Sequence, residues 1–271
     1  VLKETKPFEK RVALTPEITK KLSDLSCEIL IETNAGEAAN FKDAAYKEAG
    51  ATICPRKDIY KKSDILLMVQ GPIFKEDLTS PEEETFFQSG QTLIGNFSVL
   101  SAPKKLSYYA QKNLNCLALD LMPRITRAQS MDILSSQSNL IGYRSVIDAA
   151  YSYGKVFPMM MTAAGTIYPA KVLILGCGVA GLQAIATAKR LGAVVKAFDV
   201  RHAAKEQVES LGATFIEVPT LKDVETKGGY AKELSAEDKK NQEACIHKHI
   251  KESDIVITTA LIPGKVAPRL I

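Results

Sequence analysis

The chain has 271 residues, 46% of them hydrophobic, and a formal net charge of +4. That is enough apolar material for two ordinary cores, while the mild charge, lysines interspersed with acids, forms no block suited to gripping nucleic acid. Even Val172–Leu182 is cut by glycines before it nears the ~18 residues of a membrane span, and five widely spaced cysteines (Cys27, Cys54, Cys116, Cys177, Cys245) without C-x-x-C argue for a reducing compartment and against a disulfide frame or a metal site.

The opening residues show no initiator Met and no basic-then-apolar signal, so a piece of a longer protein is expected. Strand-like and helix-like segments then alternate. The run is strand Lys10–Thr15, helix Pro16–Leu25 capped by Thr15, strand Cys27–Thr33, helix Asp43–Gly50, strand Asp64–Gln70, helix Pro81–Ser89, strand Gln91–Phe97, helix Ala102–Asn113 and strand Asn115–Met122. This is the rhythm of a parallel α/β sheet. From Ser130 to Gly154, helical spacing puts Ile133, Leu134, Leu140, Ile141, Ile147, Ala150 and Tyr151 on one stripe of a helix joining two domains. An irregular connection follows, with Met159, Met160 and Met161 read as core filler.

A second alternation opens at Lys171: strand Lys171–Gly176, helix Ala180–Leu191, strand Val194–Val200, helix Ala203–Leu211, strand Thr214–Val218, a polar loop and helix, then strand Asp254–Leu261. His247 and His249 sit among lysines on that last helix and read as a solvated face rather than a metal pair. The expected architecture is α/β, with two Rossmann-like parallel-sheet domains joined by a long helix. The domains are residues 1–130, a connecting helix at 131–155, and a dinucleotide-binding fold at 156–271. Four strands are fewer than the six of a complete dinucleotide fold, so a C-terminal truncation is expected.

Gly176, Gly178 and Gly181 form G-x-G-x-x-G between the first strand and first helix of this second alternation. The first glycine suits a tight turn, the second a close approach to a pyrophosphate, the third close helix packing, with Val179 opening the helix whose N-terminus faces the anion. Asp199 ends the next strand, where its carboxylate can accept from a ribose 2′-hydroxyl and would repel a 2′-phosphate. NAD(H) is thus favoured over NADP(H), with Val200 and Arg201 beside it. Cys177, between two glycines, reads as a small apolar spacer.

Between the two alternations, Pro123–Gln137 (PRITRAQSMDILSSQ) crowds fixed polar groups together. By residue chemistry alone it is either a polar helix start capped by Ser130 or Asp132, or a cradle for a ligand such as a carboxamide, which offers one carbonyl and two N–H bonds. Gln129, Asp132 and Ser135 are spaced by three and share a face if a helix already runs there.

With EKRVALTP, RAQSMD, AAGTIYPAKVLILGCGVAGLQAIATAKRLGA, GGYAKE and TTALIPGK, the chain resembles the NAD(H)-binding component of proton-translocating NAD(P) transhydrogenase. EKRVALTP is also similar to alanine and saccharopine dehydrogenases. The resemblance implies that Arg124, Gln129, Asp132 and Ser135 hold the nicotinamide and its ribose, that Gly229 and Tyr230 lie on a loop closing over bound NAD(H), and that Thr259, Ala260 and Leu261 line the cofactor at the sheet's carboxyl edge. It implies a partner component carrying NADP(H), a membrane proton-channel component and a homodimer. It also implies a soluble domain peripheral to an inner membrane, at the bacterial cytosolic face or the mitochondrial matrix face.

Hydride exchange between two nicotinamides needs the rings held close and needs no proton donor. Alanine dehydrogenases need a lysine and a histidine in the first domain; here Gln70 and Asn96 stand near those places and no histidine precedes His202. Arg11, which would grip a substrate carboxylate, reads as a structural ion pair. The alternatives are an alanine-dehydrogenase-like oxidoreductase with an altered site and a non-catalytic NAD(H)-sensing module.

Overall fold

A computed structural model describes residues 1–71, 86–101, 105–218, 236–262 and 266–271. It divides into two compact units, Val1–Asp132 and Ile133–Ile271.

In the first unit, α1 (Pro16–Asp24), α2 (Asp43–Glu48), α3 (Arg56–Lys62) and α4 (Lys105–Gln111) accompany two parallel sheets, one of β1 (Leu30–Glu32) and β2 (Thr52–Cys54), the other of β3 (Ile65–Gln70), β4 (Thr92–Asn96) and β5 (Asn115–Ala118) in that order. Thr15 caps α1 by accepting from the Ile18 N–H, with proline at the next position. Leu66 and Met68 on β3 join one core with Leu93, Ile59 and Tyr60, while Leu67 packs against another built on Ile31, Leu14 and Tyr46. Adjacent residues of one strand thus serve opposite faces, as the period of two requires.

Several sequence expectations are corrected here. Lys10–Thr15 is not a strand: the Arg11 N–H and guanidinium turn back on the Glu9 carboxylate, and Val12 and Ala13 pack on the core without a ladder. Beside β1 runs Val1 instead, its carbonyl accepting from the Glu32 N–H. The β2 and α3 elements were unforeseen, because three strand residues and a seven-residue helix are too short for periodicity to register. The expected helix Pro81–Ser89 lies mostly outside the described residues, and Phe86–Ser89 are not helical.

The second unit holds α5 (Ile133–Ser152), β6 (Met160–Thr162), β7 (Gly165–Ile167), β8 (Lys171–Leu175), α6 (Val179–Arg190), β9 (Val194–Phe198), α7 (Ala204–Ser210), β10 (Thr214–Phe215), α8 (Ala236–Lys251) and β11 (Ile255–Thr258). Its sheet is parallel in the order β10-β9-β8-β11, the doubly wound arrangement whose ligand edge is the carboxyl end. Val172 and Ile174 face a core with Ile185, Ala188, Val195 and Val146 of α5, while Leu173 and Leu175 face another with Phe198, Ile216 and Ile246 of α8.

The stripe read on α5 is only in small part its packed face: Ala150 packs on the core, but most of the larger side chains do not. Gly142 and Val146 are buried, and Leu134, Leu140, Ile141 and the 92%-exposed Tyr151 point outward. Nor is Met159–Met161 core filler: β6 and β7 form an antiparallel hairpin, and Met161 is 74% exposed. On α8, His247 is exposed, but His249 turns its ring toward Lys196 and Glu252, so the two histidines do not share a solvated face.

Candidate functional site

Gly176, Cys177 and Gly178 alone make the turn between β8 and α6. Gly176 has φ of +98°, and a Cβ there would lie 2.7 Å from the Ala260 nitrogen. A Cβ on Gly181 would lie 1.8 Å from the Gly176 carbonyl oxygen. Protein packing therefore demands both. Gly178 differs, for among the described residues nothing approaches within 4 Å of where its Cβ would be, and no side chain caps the α6 N-terminus it opens. A bare backbone next to uncapped first-turn N–H groups is the cradle a pyrophosphate fills, so these residues fit a dinucleotide. Cys177 is buried, its N–H donates to Asp199, and burial pushes its thiol far up from the ordinary value, which suits a spacer and not a nucleophile.

Asp199 follows β9 at the same sheet edge. Its carboxylate accepts from the Cys177 N–H at 2.7 Å, and from the Arg201 N–H, Nε and Nη2, each at 2.9 Å. The Arg201 fork on this carboxylate was not foreseen from sequence. Val200 packs partly against the α8-side core. After β11, the Thr259 hydroxyl donates to the Gly176 carbonyl at 2.8 Å, the Ala260 backbone closes on Gly176, and Leu261 is exposed. Gly176, Gly178, Asp199 and Thr259 thus come together at one sheet end, while Gly229 and Tyr230 lie outside the described residues.

The polar stretch Pro123–Gln137 folds otherwise than a single helix. Thr126–Met131 is a 3₁₀ turn, Asp132 is extended (φ −77°, ψ 91°), and α5 begins only at Ile133. Gln129, Asp132 and Ser135 therefore do not sit on one continuous helical face; Asp132 takes the position before the first helical residue, where aspartate is favoured. Arg124 and Gln129 are exposed and Asp132 and Ser135 half-buried. Upstream, the Asp120 carboxylate accepts from the Phe97 and Val99 N–H groups, tying the end of β4 to the segment leading into Arg124.

The model for the N-terminal domain of the alanine dehydrogenase/PNT family matches residues 1–141, and that for its C-terminal domain matches residues 145–271. The chain belongs to the alanine dehydrogenase/PNT family. It is 52% identical to an NAD(P) transhydrogenase alpha subunit, in its first piece, from Rhodospirillum rubrum, over 99% of this chain and 70% of that protein. The crystal structure of transhydrogenase from Sinorhizobium meliloti matches with a TM-score of 0.85 at 47% identity, over 100% of this chain and 71% of that one. An L-alanine dehydrogenase structure matches with a TM-score of 0.77 at 26% identity, over 100% and 68%. The fold is common to both branches, and the higher identity places the chain with the transhydrogenase alpha subunits.

At the carboxyl end of β3 the residues weighed for proton transfer can be placed. Gln70 accepts from Lys6 Nζ at 3.3 Å and its amide donates to Glu9 at 3.3 Å. Arg11 pairs with Glu9 at 2.6 Å, holding that carboxyl well down, to about 2. Glu4 accepts from the Val69 and Gln70 N–H groups, yet burial raises its carboxyl above the usual range. Lysine and arginine are therefore present beside Gln70, but both are engaged with neighbouring side chains. Among the described histidines none falls in the first unit.

Proposed function

We propose that this chain is the NAD(H)-binding component of a proton-translocating NAD(P) transhydrogenase. It holds NADH and presents the nicotinamide to NADP+ carried on a separate component. The observation that carries the reading is the contrast among the three glycines: two are crowded by the protein itself, and the third faces open space at the uncapped start of α6. The 52% identity to a transhydrogenase subunit supports this reaction among the several that such a fold can host.

In this reading the pyrophosphate lies on Gly176–Val179 and the α6 N-terminus, Gly181 allows α6 to pack closely, Asp199–Arg201 meet the adenosine ribose, and Thr259–Leu261 border the cofactor. Arg124, Gln129, Asp132 and Ser135 orient the carboxamide and the adjoining ribose. NADH supplies the hydride, and the protein's task is to hold the ring, which donors and acceptors without a titrating catalyst accomplish. Coupling to proton flow would then reside in a membrane component; no helix among the described residues is long and apolar enough to cross a membrane. The placement is peripheral to an inner membrane. The outward apolar side chains of α5 and of the β6–β7 hairpin suit a homodimer, because surface of that kind marks a partner.

Mixing the protein with an NADP(H)-binding component should give reduction of an NAD analogue by NADPH. NADH binding with no transfer would instead favour a sensing module. The Lys6 ammonium, 3.3 Å from the Gln70 side chain, favours the second reading, an alanine-dehydrogenase-like reaction. Turnover of pyruvate, ammonia and NADH by the isolated protein would establish it.

A further inference from the structure

Resting on the NAD(H) reading above, we propose that Arg201 is a reversible occupant of the ribose seat on Asp199, and that it sets both the affinity and the selectivity of dinucleotide binding. The Asp199 side chain is only 7% exposed and four donors converge on it: the Arg201 N–H and Nε on Oδ1, the Cys177 N–H and Arg201 Nη2 on Oδ2. A carboxylate offers about four lone-pair positions. A ribose hydroxyl gains one only by displacing a donor.

Two of the donors are backbone groups fixed by the turn. The Cys177 N–H lies between the fingerprint glycines, and the Arg201 N–H closes the bend after β9. The guanidinium is the movable pair. Its stem is flexible, and it gives up a charge-assisted fork for every ribose that binds. Swung aside, it stays tethered two residues from Asp199, within reach of the ribose 2′ position, where a guanidinium would take a phosphate bidentately. The residue that lowers NADH affinity therefore gives a 2′-phosphorylated dinucleotide a foothold against the repulsion of Asp199.

The test is titration of the whole protein with NADH and separately with NADPH, for the wild type, Arg201→Met and Arg201→Lys. Removing a largely buried ion pair of this kind should tighten NADH in Arg201→Met by roughly fivefold and weaken NADPH by a similar factor. Arg201→Lys, which keeps the charge and loses the fork, should tighten NADH while retaining NADPH binding. Should Arg201→Met not fold, as judged by its melting curve, the lysine variant alone decides. NADH binding weakened or unchanged in the folded variants would overturn the proposal while leaving the dinucleotide site intact. No NADH binding by the wild type would overturn both.

Discussion

Glycine is worth little as a letter and much as a position. Gly181→Ala should cost about 2–3 kcal/mol of stability, because the new methyl meets a backbone carbonyl at 1.8 Å that cannot step aside. Gly178→Ala should change stability by under about 1 kcal/mol, yet weaken NADH binding at least about tenfold, since its methyl enters the cradle. Melting curves and NADH titrations on the two variants check this; stability lost equally in both would contradict it. Glu9 supplies a second residue-scale test. Its carboxyl is held down to about 2 by Arg11, so the pair stabilises the fold above the ordinary carboxylate range, near pH 4.5, and that contribution disappears as pH falls from there toward 2. With Arg11 45% exposed, the pair is screened and worth about 1 kcal/mol. Glu4, raised by burial, acts in the opposite sense, so wild type and Glu9→Gln must be compared at each pH. Urea unfolding should show a gap between them at pH 6 that narrows steadily below about pH 4.5 and closes only as the pH reaches about 2.

Among elements, α5 carries the most consequence. It packs on α6 at Gly142, where a Cβ would stand 2.1 Å from the Ala180 carbonyl oxygen, and Asn139 donates to Gln183 at 3.2 Å one turn earlier. The helix bearing Ser135 is thereby registered against the first turn of the helix that opens at Gly178. Gly142→Ala should lose about 2 kcal/mol in urea unfolding, although alanine in a helix interior otherwise gains about 1 kcal/mol over glycine. A stability gain would show that the approach is looser than the backbone indicates. This packing could have been read from the glycine inside a helical pattern, a signal of close approach that the apolar stripe obscured. The stripe misled because a helix with several apolar faces does not announce which one the chain itself covers. Met159–Met161 misled for the same reason, since composition cannot distinguish a core methionine from one on a hairpin surface. The strand read at Lys10–Thr15 failed because a local arginine-to-glutamate turn outcompeted ladder pairing. Long buried strands such as β8 and β3 were legible, for doubly covered strands are continuous apolar runs.

At the scale of the molecule, the α/β class, the parallel character of the second sheet and the position of the fingerprint were all written in the sequence, since strand, glycines, helix and acid must keep fixed spacing to work. What the sequence withheld was the pairing of side chains distant or unlike in pattern: Lys6 with Gln70, and the Arg201 fork on Asp199. It also withheld the break at Asp132, because a 3₁₀ turn and an α-helix share nearly the same spacing. Self-association belongs to this scale too. Sedimentation should show a dimer that Met161→Glu weakens, whereas a monomer in both would contradict the proposed use of the hairpin surface.

In the proposed function, Gln129 and Asp132 orient the nicotinamide rather than merely anchor the cofactor. The decisive measurement is single-turnover hydride transfer in the recombined transhydrogenase for Asp132→Asn, set beside its NADH dissociation constant. The expected result is a transfer rate down by about 100-fold with NADH affinity within about threefold of the wild type. Equal losses in rate and affinity, or an unchanged rate, would contradict it.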